Sequence, residues 1–176
     1  MRQSIFRLKF SYTGEKENGD LTKKKLELLA QCANYTDAEK LVNAIIERGD
    51  YSRYDECNYE IVKTKYFLSN VLLNDAVAEE DKTLCGLSES YFEAEQAGFF
   101  VLKVKEFAQN EDDKDTTEEF IIPALTSAEA DKSLKEYLRA KYDMTNDMFK
   151  VISNKLDNAD SIFMLPEVVE AKRKPL

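Results

Sequence analysis

Apolar and polar positions alternate through Ile5 to Tyr12. Phe6, Leu8, Phe10 and Tyr12 fall on one side of an extended chain and Arg7, Lys9 and Ser11 on the other, the period of two that marks a half-buried strand. The polar stretch Thr13 to Asp20, with glycines at 14 and 19, reads as a hairpin loop, and a second strand runs from about Lys24 to Ala33. The pattern then changes period. Ala38, Leu41, Val42, Ile45 and Ile46 recur at the spacing of one helical face, behind Thr36-Asp37-Ala38-Glu39, a threonine followed three residues later by glutamate as in a capping box, with Gly49 as the stop. Tyr59 to Lys63 resumes a strand that continues loosely to Leu73.

The order returns in the second half. Phe100 to Lys105 is a strand that matches Arg7 to Ser11 at an offset of 94, and the acidic stretch Asn110 to Asp115 takes the place of the hairpin loop. Phe120 to Leu125 takes the place of the second strand. Thr126-Ser127-Ala128-Glu129 lies on Thr36 to Glu39, and Phe149 to Ile152 on Tyr59 to Val62, both at an offset of 90. The helical apolar residues Ala130, Leu134, Tyr137 and Leu138 do not superpose on Leu41, Val42 and Ile45 at that offset. The expected fold is α+β: two ββαβ-like repeats forming a mainly antiparallel sheet, continuous or in two halves, with the helices packed on one face. The expected organisation is a first repeat over 1–74, an acidic connector over 75–98, a second repeat over 99–165 and a basic tail over 166–176.

Composition removes several chemistries. The 176 residues contain no histidine, which excludes histidine-based nucleophile systems, H-E-x-x-H zinc sites and a histidine general base. The glycines, at 14, 19, 49, 86 and 98, form no phosphate-cradling motif. Cys32, Cys57 and Cys85 are an odd number at spacings that suit neither a disulfide framework nor a zinc knuckle. The acidic run Glu111, Asp112, Asp113, Asp115, Glu118, Glu119 lacks the glycine and the spacing of a calcium loop. Glu80-Asp81-Lys82 and Glu170-Ala171-Lys172 have the local form of a nuclease motif but sit in the connector and the tail, where nothing fixes a metal. No enzyme, cofactor or metal is expected. No stretch reaches the roughly 18 to 20 apolar residues that span a bilayer, so a cytoplasmic protein with no membrane partner is expected.

Charge is uneven. The net charge is −9, yet residues 1 to 30 carry seven basic against four acidic side chains, whereas residues 75 to 98 carry seven acids against Lys82 alone. Two binding surfaces follow. Arg7, Lys9, Lys23, Lys24, Lys25, Lys65, Lys103 and Lys155 could follow a nucleic-acid backbone if Lys9 pairs with Lys103 and Lys65 with Lys155 across a pseudo-two-fold. Tyr91 and Phe92, aromatics flanked by acids, or an open sheet edge, could meet a protein.

The segment Leu28 to Glu39, an apolar strand leading into a threonine-acid-alanine-glutamate helix start, resembles a family of small proteins from gut bacteria and their phages catalogued only as a domain of unknown function. The resemblance covers the first half best. It implies an accessory protein of a bacterium or of a phage infecting one, and supplies no catalytic residues. The expectation is therefore a non-enzymatic accessory protein that binds a macromolecule, foremost a protein, with a single-stranded nucleic-acid binder or a virion component as alternatives.

Overall fold

The computed structural model describes residues 3–48, 57–72, 98–143, 145 and 147–164. The alternating segment forms β1 (Ser4–Glu15), and the chain returns as β2 (Leu21–Cys32) in an antiparallel hairpin that sets Leu8 beside Leu28 and Phe6 beside Ala30. Gly19 supplies the turn's positive φ of 86°, a conformation glycine adopts without steric cost. α1 (Tyr35–Arg48) follows, then β3 (Asn58–Phe67), which pairs antiparallel with the other side of β1. A 3-10 turn, Leu68–Asn70, leads to Val71 and Leu72.

The second half places β4 (Gly98–Glu106) and β5 (Thr116–Ala124) in a hairpin, followed by α2 (Ser127–Tyr142), β6 (Phe149–Leu156) on the other side of β4, and the short β7 (Ser161–Phe163). The described residues are thus α+β, with mostly antiparallel sheets and two α-helices. The four-stranded sheet has the order β3-β1-β2-β7 and the three-stranded sheet the order β5-β4-β6.

Strand parity sorts the side chains into three cores. Phe6, Leu8, Phe10, Leu28, Ala30 and Cys32 face α1, meeting Ala38, Val42 and Ile45. Leu102, Val104, Phe120, Ile122 and Ala124 face α2, meeting Ala130, Leu134 and Leu138. The opposite faces of the two sheets meet each other through Ile5 and Leu29 on one side and Phe99 and Ile121 on the other. The layers therefore run helix, sheet, sheet, helix. This corrects the expectation of both helices on one face: each sheet has apolar residues on both faces, so each helix covers an outer face and the inner faces cover one another.

Two segments cross between the sheets. After β3 the chain passes to the other sheet, where Val71 bridges Ile121 in parallel and the Leu72 N–H donates to the Ile121 carbonyl at 2.9 Å. After β6 the chain passes back, and β7 pairs in parallel with β2, setting Ile162 beside Leu29. Leu72 then packs in the α2 core and Phe163 in the α1 core. The expected limits at 74 and 165 fall outside the described residues; within these, each hairpin is completed by a segment from the other half.

One of the two helix starts also departs from expectation. In α2, the Thr126 Oγ1 accepts the Glu129 N–H at 3.1 Å, and Glu129 reaches back to accept the Leu125 N–H at 3.1 Å. In α1 the cap is Asn34, whose side-chain oxygen accepts the Asp37 N–H at 2.9 Å and whose carbonyl accepts the Ala38 N–H. Thr36 lies inside the first turn. Asparagine caps as well as threonine, and the Thr-x-x-Glu spelling masked it. Loss of a cap costs about 1 kcal/mol. Urea unfolding should therefore show Asn34→Ala and Thr126→Ala each losing about that much, with Thr36→Ala within about 0.5 kcal/mol of the parent.

Candidate functional site

Where the inner faces leave the Ile5/Leu29 contact, the next position on β1 is Arg7, and the sheets are joined there by charge. Arg7 donates through Nη1 and Nη2 to both oxygens of Asp157, at 2.9 and 3.0 Å, and through Nη1 to Glu27 at 2.8 Å. Asp157 stands in the link from β6 to β7, and its N–H donates to the Phe99 carbonyl at 2.7 Å. Burial opposes the Arg7 charge, but the hydrogen bonds and attraction of Asp157 and Glu27 outweigh it and raise its pKa. With three of its five N–H donors given to two carboxylates, Arg7 ties the sheets together.

A second polar group faces it. Lys65 Nζ lies 2.6 Å from Glu119, whose other oxygen accepts the Tyr66 hydroxyl at 3.1 Å. Burial works against the Glu119 charge, yet the hydrogen bonds from Lys65 and Tyr66 and the nearby Lys65 and Lys103 charges leave its pKa below the usual value. Burial, then the Glu119 charge, pushes the Tyr66 hydroxyl up to about 12, so it stays a donor. Asn70 adds a hydrogen bond to Glu118 at 3.0 Å.

The remaining cations divide. Lys9 and Lys103 both lie on inner faces of central strands, Lys9 exposed beside Glu27 and Glu60, Lys103 half-buried beside Glu119 and Ser153. Lys65 and Lys155 do not correspond as expected. Lys155 stands beside Val101 on β6, whereas Lys65 lies past the irregularity in the β1/β3 register and is bound to Glu119. Lys23, Lys24 and Lys25 are exposed on β2, where alternation turns Lys24 to the helix side and Lys23 and Lys25 inward, so they do not make one patch. Tyr91 and Phe92 lie outside the described residues.

Four strands lie at sheet edges: β7 is only three residues long, β5 is bridged at Ile121 by Val71, and β3 and β6 are the long edges with no neighbour on their outer side among the described residues. Each carries exposed apolar side chains: Tyr59 and Val62 on β3, and Ile152 and Leu156, 45% and 66% exposed, on β6. Sequence reasoning passed over this pair. Its signal was Val151-Ile152, two adjacent apolar residues in a strand where only one can face the core. Phe149 and Val151 pack on the α2 core, and the irregularity between Lys103 and Val104 in the β4/β6 register leaves Ile152 outside.

Among the described residues no group of three or more cysteine and carboxylate side chains is placed to hold a metal, and no helix is long and apolar enough to cross a membrane. Burial, with Asp37 adding to it, pushes the Cys32 thiol up to about 11, and burial also raises that of Cys57, so neither is an activated nucleophile. Neither a protein-family model nor a curated protein matches the chain.

The Arg7 and Lys65 ion pairs differ in surroundings. Arg7 and Asp157 side chains are 16% and 14% exposed, while Lys65 is 69% exposed. Removing one partner of a mostly buried pair strands the other charge, whereas exposed pairs are worth about 0 to 1 kcal/mol. In urea titrations Asp157→Ala should cost roughly 1 to 3 kcal/mol, and Lys65→Ala less than about 0.5 kcal/mol.

Proposed function

We propose that the chain is a non-enzymatic accessory protein that binds a protein partner, built on two copies of one ββαβ unit. The repeat reading is supported by strand order. In both units the first strand is central, flanked by its hairpin partner and by the strand that follows the helix. It is also supported by residues that do the same work 92 positions apart: the buried pairs Leu28 and Phe120, Ala30 and Ile122, Cys32 and Ala124, Ala38 and Ala130, Val42 and Leu134, and the caps Asn34 and Thr126. A spacing of 92 brings the helix faces into register, which 90 did not. Val71 on Ile121 and Ile162 on Leu29 complete the correspondence. Its place among accessory proteins of gut bacteria and their phages rests on the resemblance at Leu28 to Glu39.

The observation that carries the binding reading is the pair of open edges. A strand with unpaired N–H and C=O groups and exposed apolar side chains is a template for another chain. Charge and bulges blunt an edge, and β3 and β6 carry both, yet apolar residues remain exposed on each beside the lysines.

Nucleic-acid binding is the second reading. Lys9, Lys23 and Lys25 favour it: they share one face of the first hairpin, are exposed, and make no ion pair among the described residues. No large exposed aromatic accompanies them on that face, and stacking would need one.

One capture experiment separates the readings. The full chain and a Val62→Lys/Ile152→Lys variant of unchanged melting temperature are used as bait in lysate of the encoding cell, with and without nuclease. One stoichiometric protein should be retained by the parent, survive nuclease and be lost from the variant. Retention by both baits, or no partner at all, would sink the protein-binding reading, and loss on nuclease would favour the second.

A further inference from the structure

Of the two open edges, β6 has a setting that selects a ligand. Between α2 and β6 lies a groove of about 500 Å³, lined on the helix side by Asp131, Lys135 and Arg139 and on the strand side by Phe149 to Asn154. Its helix wall carries two cations and one acid, with Lys135 and Asp131 paired at 2.8 Å. Its strand wall carries one cation, Lys150, and no acid, and Lys155 follows just beyond it on β6. The other edge is mixed, with Glu60 among Lys63 and Lys65 on β3. On a chain of net charge −9, the α2/β6 groove is a basic exception.

We propose that β6 and this groove form a docking site for an extended acidic segment of a partner protein, which adds to β6 as a further strand. The proposal rests on the protein-binding reading and names the chemistry of the partner. Main-chain groups of β6 would supply the hydrogen bonds, Ile152 an apolar contact, and Lys150, Lys155 and the helix cations the charge preference. A second copy of this chain is the poorer occupant. The antiparallel self-pairing that uses all of Phe149–Leu156 sets Lys150 opposite Lys155, and like charges directly opposite are destabilising. The lysines that keep two copies apart favour an acidic strand in the same place.

The test uses the full chain and three labelled octapeptides: alternating glutamate and valine, alternating lysine and valine, and the glutamate peptide with alternate backbone nitrogens methylated. Anisotropy at low salt should show the glutamate peptide binding at least tenfold more tightly than either of the others. Lys150→Glu, an exposed change that leaves the melting temperature in place, should weaken it at least tenfold and improve the lysine peptide. Amide exchange should slow in 149–156 and not in 58–67. Equal binding of the glutamate and lysine peptides, indifference to methylation, protection on β3, or no binding of the glutamate peptide overturns the proposal. If lysate capture still returns a partner that the Ile152→Lys change releases, the protein-binding reading stands and only its acidic chemistry is wrong.

Discussion

Each hairpin of this protein is apolar on both faces at one end, and its own helix can cover only one of them. That constraint organises the molecule. Ile5, Leu29, Phe99 and Ile121 are all fully buried, yet none faces a helix. Burying a side chain of this size contributes about 1.5 to 3 kcal/mol, which is available only if the two sheets close on each other. The crossing segments make that closure specific: Val71 and Ile162 each leave one sheet to line the shared core and to pair with the second strand of the other hairpin. Neither hairpin then has a complete core without residues from the opposite half.

Arg7 marks where this apolar contact ends. Its two carboxylates come from both halves, Glu27 from its own sheet and Asp157 from the link out of β6, so the ion pairs join the sheets where the apolar contact stops. Further along, the inner faces carry Lys9, Lys23 and Lys25, all exposed. Cations that looked alike in the sequence therefore do different work: Arg7 is a strut, Lys65 is bound to Glu119, and the hairpin lysines are solvated. With the first strands central and the second strands met by crossing segments, the third strands β3 and β6 are the long open edges among the described residues. The location of the proposed binding edges is thus a consequence of how the core is closed.

Most of the elements could be read from the sequence because each rests on a local period. β1 shows its alternation, α1 its helical stripe, and Thr126 with Glu129 its reciprocal cap. The helix start at Asn34 could not be distinguished from Thr36, since both residue types cap and both precede the apolar stripe. The error of two residues made the helix faces look incompatible. The layer order was not legible, because Ile5 and Leu29 on the second face of their strands resemble ordinary strand residues until a partner sheet is known. The crossings are carried by two or three residues, too few for any period. Asp157 and Arg7 are 150 positions apart, so their pairing has no local trace. At β6, the adjacent pair Val151-Ile152 recorded the irregularity, but only the register shows which of the two faces out.

If the crossed segments make the two halves one structure, native-state amide exchange in rising denaturant is the most direct check. The slowest amides of β1 and β2 and those of β4 and β5 should converge on a single global opening free energy. Two separate values, with one hairpin and its helix opening while the other remains protected, would contradict the account.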